Sequence, residues 1–351
     1  MKAELYSIAS LPARLVRRWD EMLHLSPIRT AFLSHAFCAA VEQVRGSVFV
    51  LHIRNMDEEG FLPFQIRRGR VWLGHAEKVG GSMSDFFGTI GTLRTPIQSD
   101  QLLNAAGLSC LRLDHGVMEA CPFSFADSES SRGVRVEVDS FSNYIAVLSS
   151  TNKSFINGVR RKERSLLADM GEVEFTWNTV NSGELGVIID AKREQYRRTG
   201  TSDALAQEWR RQLLYDLFSS KSNSYCVAVL STMYCKGLWV ASNLSLVCED
   251  SMHIWFPAHN TALRRYWPGH LLFLRIIEHG CRTGIRVFDF GQGESHYKAE
   301  YIGELYELWK GVIRRRNLSG YAERLLQSFE WRYASWRQQG IRSSAASGTD
   351  H

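Results

Sequence analysis

Apolar and polar positions alternate along this chain with two periods, one typical of strands and one of helices. Between residues 172 and 315 the pattern predicts an unbroken series of both elements. In order they are strand 172–180, helices 182–198 and 204–220, strands 225–230, 237–248 and 251–257, helix 268–283, strand 286–290, helix 297–303 and strand 307–315. Short strands interleaved with helices of this length predict a mixed α/β unit.

The first 150 residues predict a second mixed unit. Helices are expected at 11–23, 32–44 and 99–106, and strands at 48–54, 61–67, 71–73, 110–113 and 134–138. Residues 124–133 (SFADSESSRG) have the most loop-like composition of the chain. We expect an α/β (α+β) fold with mixed sheets flanked by helices. The expected division is an N-terminal domain of residues 1–150, a second domain of residues 151–316, and a tail of residues 317–351 with an amphipathic helix and a disordered end.

One stretch of the second unit predicts an anion site. Arg264 and Arg265 precede Pro268, and proline is favoured at the first position of a helix. The free N–H groups at such a helix start, with the positive end of the helix dipole, suit a pyrophosphate. A Pro-Gly pair at this point also commonly marks a helix start that binds no ligand. Gly291-x-Gly293 after the next strand is likewise compatible with a plain turn.

Residues in this region resemble a known family. The run Trp267-Pro268-Gly269-His270-Leu271-Leu272, the strand and loop Phe288-Asp289-Phe290-Gly291 with Gly293, and the pair Tyr297-Lys298 are similar to the acetyltransferase domain of CelD/BcsL-like proteins. That domain belongs to the GNAT superfamily, is akin to the FemAB-type acyl and aminoacyl transferases, and is linked to bacterial exopolysaccharide and cellulose biosynthesis. The resemblance covers residues 153–315 and implies tandem GNAT-like domains, of which the second is the better-formed acyltransferase.

The resemblance also implies roles for individual residues. The coenzyme pyrophosphate would lie against Arg264, Arg265, Trp267, Gly269 and His270. Asp289 would act as base or orient the acceptor amine, and Tyr297 would protonate the leaving thiolate. Candidate acceptor ligands are Asp85, Glu294, His296 and Lys298. Each has a plainer alternative: Asp85 as a turn residue, Asp289 as a hydrogen-bonding partner of its own loop, and Tyr297 as a stacking residue.

Composition restricts the cellular compartment and the kinds of ligand that we expect for this protein. The net charge of +5 is compatible with an anionic ligand such as coenzyme A, and no DNA partner is expected. The seven cysteines are scattered without a Cys-x-x-Cys pair, which favours free thiols in a reducing cytoplasm. The histidine spacing favours no metal site. No run of about 18 apolar residues occurs and the first residues lack a signal-peptide core, so we expect a cytoplasmic protein, free or peripheral at the inner membrane.

The sequence thus predicts an N-acyltransferase that uses acetyl-CoA or another acyl-CoA, without a metal. Its expected acceptor is an amino-sugar or glycan precursor of envelope or extracellular polysaccharide synthesis, with the polysaccharide-synthesis machinery as a partner. Two alternatives stay open. One is a FemAB-type aminoacyl transferase acting on a peptidoglycan precursor. The other is a non-catalytic GNAT-fold regulator or scaffold of a polysaccharide synthase, for which a nucleotide second messenger is a conceivable ligand.

Overall fold

The fold is a single long mixed sheet with helices on both faces. A computed structural model describes residues 1–26, 28–68, 73–123, 126–220, 225–293 and 296–315. The strands of this part of the chain are β1 (Lys2–Ser7), β2 (Val48–Asn55), β3 (Glu58–Ile66), β4 (His75–Glu77), β5 (Ile90–Gly91), β6 (Cys110–Val117), β7 (Ala126–Glu137), β8 (Val173–Thr176), β9 (Val227–Cys235), β10 (Leu238–Cys248), β11 (Ser251–His259), β12 (Val287–Gln292) and β13 (Glu304–Arg314).

The helices of the described residues flank this sheet. They are α1 (Ala13–His24), α2 (His35–Arg45), α3 (Ser99–Ala105), α4 (Phe141–Thr151), α5 (Lys153–Met170), α6 (Ser182–Thr199), α7 (Glu208–Ser219), α8 (Pro268–Arg282) and α9 (His296–Ala299). Their ends follow local chemistry: Asn181 caps α6 by accepting from the Gly183 N–H, and Gly200 ends it with a left-handed φ of 64°. Within the described residues, no helix is both long and apolar enough to cross a bilayer.

The strand order shows that one topology occurs twice. The sheet runs β1-β2-β3-β4-β6-β13-β7-β12-β11-β10-β9-β8, with β5 beside β3. In each half the fourth strand of the main order pairs in parallel with the next: β4 with β6, and β11 with β12. The last strands of the halves, β7 and β13, are exchanged, so that β13 lies between β6 and β7, and β7 lies between β13 and β12. The expected mixed α/β fold with tandem units is confirmed.

Several expected elements differ from the observed ones. The loop expected at 124–133 is wrong from residue 126 onward, because Ala126–Glu137 forms β7, which is hydrogen-bonded on both sides. Strand β1 and helix α4 were not expected. The short helix expected at 297–303 is His296–Ala299. The tail at 317–351 and most of the strand expected at 71–73 lie outside the described residues. The boundary expected near residue 150 falls between α4 and α5 and stays a prediction.

The hydrophobic core joins the two halves rather than separating them. One buried cluster contains Trp19 and Phe37 of the first half together with Leu214 and Trp255 of the second. The Phe32 ring meets the Trp255 ring edge to face at 5.5 Å between centroids. A loop of the first half is therefore packed directly onto β11. Among the described cysteines none is bridged and six of the seven are buried, so the free thiols expected from their spacing are confirmed.

Candidate functional site

Strands β11 and β12 pair only at their beginnings and then separate. Their parallel register covers Ser251 to His253 against Val287 to Asp289, whereas β11 continues to His259. A register shift in the β10–β11 pairing accompanies this change of direction. Beyond His253, the edge of β11 that faces β12 is therefore no longer used in the sheet. A gap opens there beside the start of α8.

The start of α8 opens into a cavity of about 410 Å³, which we call the helix-start cavity. Trp267, at the N-cap, has a left-handed φ of 56°, and among the described residues no side chain caps the helix. A Cβ added to Gly269 would meet nothing within 4 Å, so this residue borders open space. The cavity is lined by Lys192, Gln195, Pro257, Ala258, His259, Arg264, Trp267, Pro268, Gly269, His270, Leu272, Phe273 and Tyr297.

Five residues expected from the sequence line this cavity: Arg264, Trp267, Gly269, His270 and Tyr297. Arg265 does not. Its guanidinium lies 3.3 Å from the Asp169 carboxylate and stacks over the Tyr266 ring at 4.5 Å from the centroid. The two neighbouring arginines therefore point to different surroundings. One faces the helix start, and the other forms an exposed ion pair.

Basic groups from outside the helix complete the lining, and no local pattern in the sequence indicated them. Lys192 on α6 is 9% exposed and donates to Gln195 Oε1 over 3.1 Å. Burial lowers the pKa of Lys192 to about 8. Burial also lowers the pKa of His259, with a further contribution from Arg198 and Lys192. An apolar cavity edged by such groups suits a ligand with phosphates at one end and an uncharged arm.

Asp289 lies in a buried chain of charged and polar groups at the junction of the halves. His253 Nε2 is 2.8 Å from Asp85 Oδ2, and His253 Nδ1 is 3.3 Å from Asp289 Oδ1. Tyr306 donates to both Asp289 oxygens, at 3.0 and 2.9 Å, and the Gly291 N–H donates to Oδ1 at 2.6 Å. Asp85 comes from the first half and the other groups from the second. The chain of contacts therefore ties one half to the other.

The protonation states of His253 and Asp85 are set by opposing effects. Burial alone would lower the pKa of His253, but the hydrogen bonds and charges of Asp289 and Asp85 outweigh it and raise the pKa to about 9. Burial would raise the pKa of Asp85, but the hydrogen bond and charge of His253 bring it down to about 2. At neutral pH His253 is therefore an imidazolium beside an ionised Asp85. The sequence suggested Asp85 and Asp289 but not His253 or Tyr306.

The two expected catalytic residues line different cavities. Tyr297 lines the helix-start cavity, whereas Asp289 lines a second cavity of about 190 Å³ between the halves, which we call the inter-half cleft. The cleft is lined by Ile28, Arg29, Thr30, Ala31, Phe86, Arg135, Glu137, Leu246, Ser251, His253, Val287 and Asp289. Asp289 is the last residue of β12 that pairs with β11, at the point where these two strands begin to separate. It thus stands between the cleft and the gap.

The remaining candidate ligands lie elsewhere. Lys298 is 5% exposed and donates to the carbonyl oxygens of Gly291 and Gln292, at 3.1 and 2.7 Å, so that it holds the loop after β12. Glu294 lies outside the described residues. His296 opens α9, but its side chain is not part of the description. No group of three His, Cys, Asp or Glu side chains in the described ranges is placed to hold a metal ion.

Comparison with known families and structures agrees with this geometry. Residues 153–299, somewhat under half of the chain, match the family model described as an acetyltransferase (GNAT) domain. The matched region contains β8 to β12, α8 and Tyr297, and is similar to a GNAT acetyltransferase domain. Among curated protein sequences no match is found.

Solved structures with low identity share the fold over most of the chain. FemX has 9% identity and a TM-score of 0.57, with 88% of this chain and 97% of that chain covered. The C-terminal domain of a protein described as a lysylphosphatidylglycerol synthetase, from Agrobacterium fabrum, has 13% identity and a TM-score of 0.52, with coverages of 90% and 96%. A protein of unknown function from Bacteroides thetaiotaomicron has 10% identity and a TM-score of 0.51, with coverages of 86% and 97%. At these identities the likeness concerns the fold alone.

Proposed function

We propose that this protein is an N-acyltransferase that takes its acyl group from an acyl-CoA, most simply acetyl-CoA. One observation carries the proposal: the uncapped start of α8 faces a basic cavity where β11 and β12 separate. The Gly269 N–H and the positive end of the helix dipole at that position suit phosphate oxygens. The match of residues 153–299 to the GNAT domain supports the same function.

The residues present fit coenzyme A in a defined orientation. Gly269 and Arg264 would hold the pyrophosphate, with Lys192 as a further positive charge and His259 as a further hydrogen-bond donor. The unpaired edge of β11 beyond His253 would hydrogen-bond the pantetheine arm, as a strand does with an added neighbour. When bound, acyl-CoA would supply the acyl thioester that the acceptor attacks.

Direct transfer needs few protein groups. The nitrogen of the acceptor amine forms a bond to the acyl carbon while the carbon–sulfur bond breaks. The amine gives up one proton and the departing thiolate takes one. Tyr297, in the wall of the helix-start cavity, is our candidate for the donor to sulfur, and Asp289 is our candidate for orienting the amine.

The expected acceptor is an amino sugar or a glycan precursor of polysaccharide synthesis, on the basis of the family resemblance. A FemAB-type aminoacyl transfer is the second candidate. It is favoured by the basic stretch of α5, whose Arg160, Arg161 and Arg164 are exposed and suit a polyanion such as a tRNA. A scaffold without activity is the third, and it would bind no coenzyme A.

The neighbouring arginines give a matched test of the proposal. Arg264→Gln removes a charge that lines the helix-start cavity, and Arg265→Gln removes one that pairs with Asp169. We expect calorimetry with acetyl-CoA to show affinity about 10-fold or more weaker for Arg264→Gln and nearly unchanged for Arg265→Gln. Equal loss in both variants would contradict the assigned orientation. No binding by the wild-type protein would favour the scaffold, and binding of aminoacyl-tRNA instead would favour the FemAB-type enzyme.

A further inference from the structure

His270 is the third residue of α8, and its ring borders the helix-start cavity. Aromatic rings hold it on several sides. It meets Phe155 edge to face at 5.1 Å between centroids, lies nearly parallel to Tyr301 at 5.7 Å, and is 5.6 Å from the Trp267 ring. An imidazole packed in this way presents one defined edge to the cavity.

The hydroxyl of Tyr301 determines which nitrogen of this ring carries the proton. Tyr301 is fully buried, and its oxygen lies 2.9 Å from His270 Nδ1. Burial raises the pKa of Tyr301, so the hydroxyl keeps its proton at neutral pH. Among the described residues, Nδ1 is the only acceptor within reach of this O–H group. Because a buried hydroxyl without an acceptor is unfavourable, Tyr301 donates and Nδ1 accepts.

The other ring nitrogen, Nε2, is therefore an N–H donor. Burial lowers the pKa of His270, with Glu300 opposing and His259 adding to this effect, so the imidazole is uncharged at neutral pH. A neutral imidazole that accepts at Nδ1 has its proton on Nε2. The two nitrogens point in nearly opposite directions, so Nε2 faces away from Tyr301. Within the described ranges, Nε2 makes no hydrogen bond and keeps contact with accessible space.

The position of this N–H group connects it with an anionic ligand. Arg264 and Gly269, the candidate pyrophosphate ligands, line the same cavity as His270. A hydrogen bond from a neutral donor to a phosphate oxygen is strengthened by the charge of the acceptor. In the other tautomer, the Nε2 lone pair would face that oxygen and repel it. The tautomer of His270 therefore decides whether this ring attracts or repels a phosphate.

We propose that Tyr301 is a positioning residue that holds His270 in the Nε2–H form, so that His270 donates a hydrogen bond to a phosphate oxygen of coenzyme A. Tyr301 itself touches no ligand and acts only through His270. The identity of the ligand rests on the acyltransferase function proposed above, whereas the tautomer is a property of the protein without ligand.

NMR of the histidine ring nitrogens in the ligand-free protein tests the tautomer. Long-range proton–nitrogen correlation spectra distinguish a protonated ring nitrogen from an unprotonated one, and the spectrum of His270→Gln identifies the signals of His270. We expect protonation at Nε2 in the wild type. Tyr301→Phe keeps the ring but removes the donor, so the Nδ1–H form should become populated. Protonation at Nδ1 in the wild type, or an unchanged tautomer in Tyr301→Phe, would overturn the proposal.

Calorimetry with coenzyme A measures the consequence for binding. Tyr301→Phe should weaken binding by about 3- to 10-fold, the effect of one hydrogen bond. Tyr144→Phe is the control, because its buried hydroxyl donates to the Tyr301 carbonyl over 3.1 Å and not to His270. Both variants lose one buried hydrogen bond and should lose similar stability, but only Tyr301→Phe should lose affinity. Equal loss of affinity in both would assign a merely structural role to Tyr301.

Substitutions of His270 separate the two ring nitrogens. The side-chain amide of glutamine reaches about as far as Nε2, whereas the shorter amide of asparagine reaches only as far as Nδ1. We therefore expect His270→Gln to bind coenzyme A within about 3-fold of the wild type and His270→Asn to bind about 10-fold more weakly. Equal losses in the two variants would show that a donor at the Nε2 position does not matter, and would contradict the proposal.

The same measurements keep this inference apart from the proposed function. If the wild type and all the variants bind coenzyme A equally, the roles of His270 and Tyr301 are refuted and the acyl-CoA proposal stands. If the wild type binds no coenzyme A, the proposed function falls together with the ligand assigned to His270. The spectra of the ligand-free protein then decide by themselves whether Tyr301 sets the tautomer.

Discussion

The two halves repeat one topology but differ at the corresponding connection. After β11, the 15-residue helix α8 starts beside the gap and leaves the Gly269 N–H facing a cavity, because Pro268 has no N–H and the His270 and Leu271 N–H groups donate to the Trp267 carbonyl. After β4, the corresponding connection contains a short turn at Gly81–Met83, the two-residue strand β5 and the seven-residue α3. The first half instead extends Asp85 to His253 of the second half. Under the proposed function, the second copy would hold the chemistry and the first would support it from the side.

The largest effect on stability should follow from removing the positive charge of His253, which lies between Asp85 of the first half and Asp289 of the second. His253→Gln leaves Asp85 and Asp289 facing each other in the interior without a cation between them. We expect the free energy of unfolding to fall by about 3–5 kcal/mol in a denaturant titration. In a double-mutant cycle with Asp85→Asn, the two changes should be strongly non-additive.

A surface histidine gives the control for this prediction. His24 pairs with Glu249 but its side chain is 62% exposed, so His24→Gln should change stability by less than about 1 kcal/mol. If both histidine variants lose the same small amount of unfolding free energy, the contacts that run from Asp85 through His253 to Asp289 do not hold the halves together.

A change in Tyr297 tests whether chemistry is confined to the second half. Tyr297→Phe removes the hydroxyl that we assign to the leaving thiolate, so turnover should fall by about 100-fold while the affinity for acetyl-CoA stays the same. Thiol release from acetyl-CoA with excess amine acceptor measures this. Tyr234→Phe is a control, because its hydroxyl bonds to Glu184 on α6. Unchanged turnover in Tyr297→Phe would remove this residue from the mechanism.

The smallest predicted effect is a pH dependence of stability. The pKa of His253 is raised to about 9 in the folded protein, so its contribution is complete below about 6.5 and is lost as the pH rises through 9. The pKa of Asp85 is lowered to about 2, so its contribution is present above about 4 and is lost as the pH falls through 2. We expect a loss on the order of 2 kcal/mol between pH 7 and 10 in the wild type.

Denaturant titrations at several pH values would show the source of this alkaline loss. It should be largely absent from His253→Gln, since the titrating group is gone. An alkaline loss of the same size in that variant would assign it to other groups and weaken the view that the first half supports the second electrostatically.

Most helices and strands of the second half could be predicted from local sequence patterns, because these elements are long and amphipathic. Helix α8 begins at Pro268 as its sequence predicts, and the anion site expected there lies beside a cavity. The end of strand β7 is expected from the sequence as part of the strand at 134–138, but its polar first part is not. That part is stabilised by pairing with β13, which lies more than a hundred residues away in sequence. Local composition does not encode such a pairing.

The residues of the candidate site also fall into those that the local sequence indicates and those that it does not. Residues that lie on one connection, such as Arg264 and His270, could be proposed from the local sequence together with the family resemblance. His253 could not, since it looks like any strand residue until Asp85, 168 positions earlier, is placed against it. Only the cavities that they line show Lys192, Thr30 and Arg135 to be candidate site residues. Side chains that meet through long-range packing leave no local signal in the sequence.

A crystal structure with acetyl-CoA would test the central claim most directly. The account predicts pyrophosphate oxygens within hydrogen-bond distance of the Gly269 N–H and the Arg264 guanidinium, with the pantetheine arm in the gap between β11 and β12. Coenzyme bound elsewhere, with the start of α8 left to water, would contradict it.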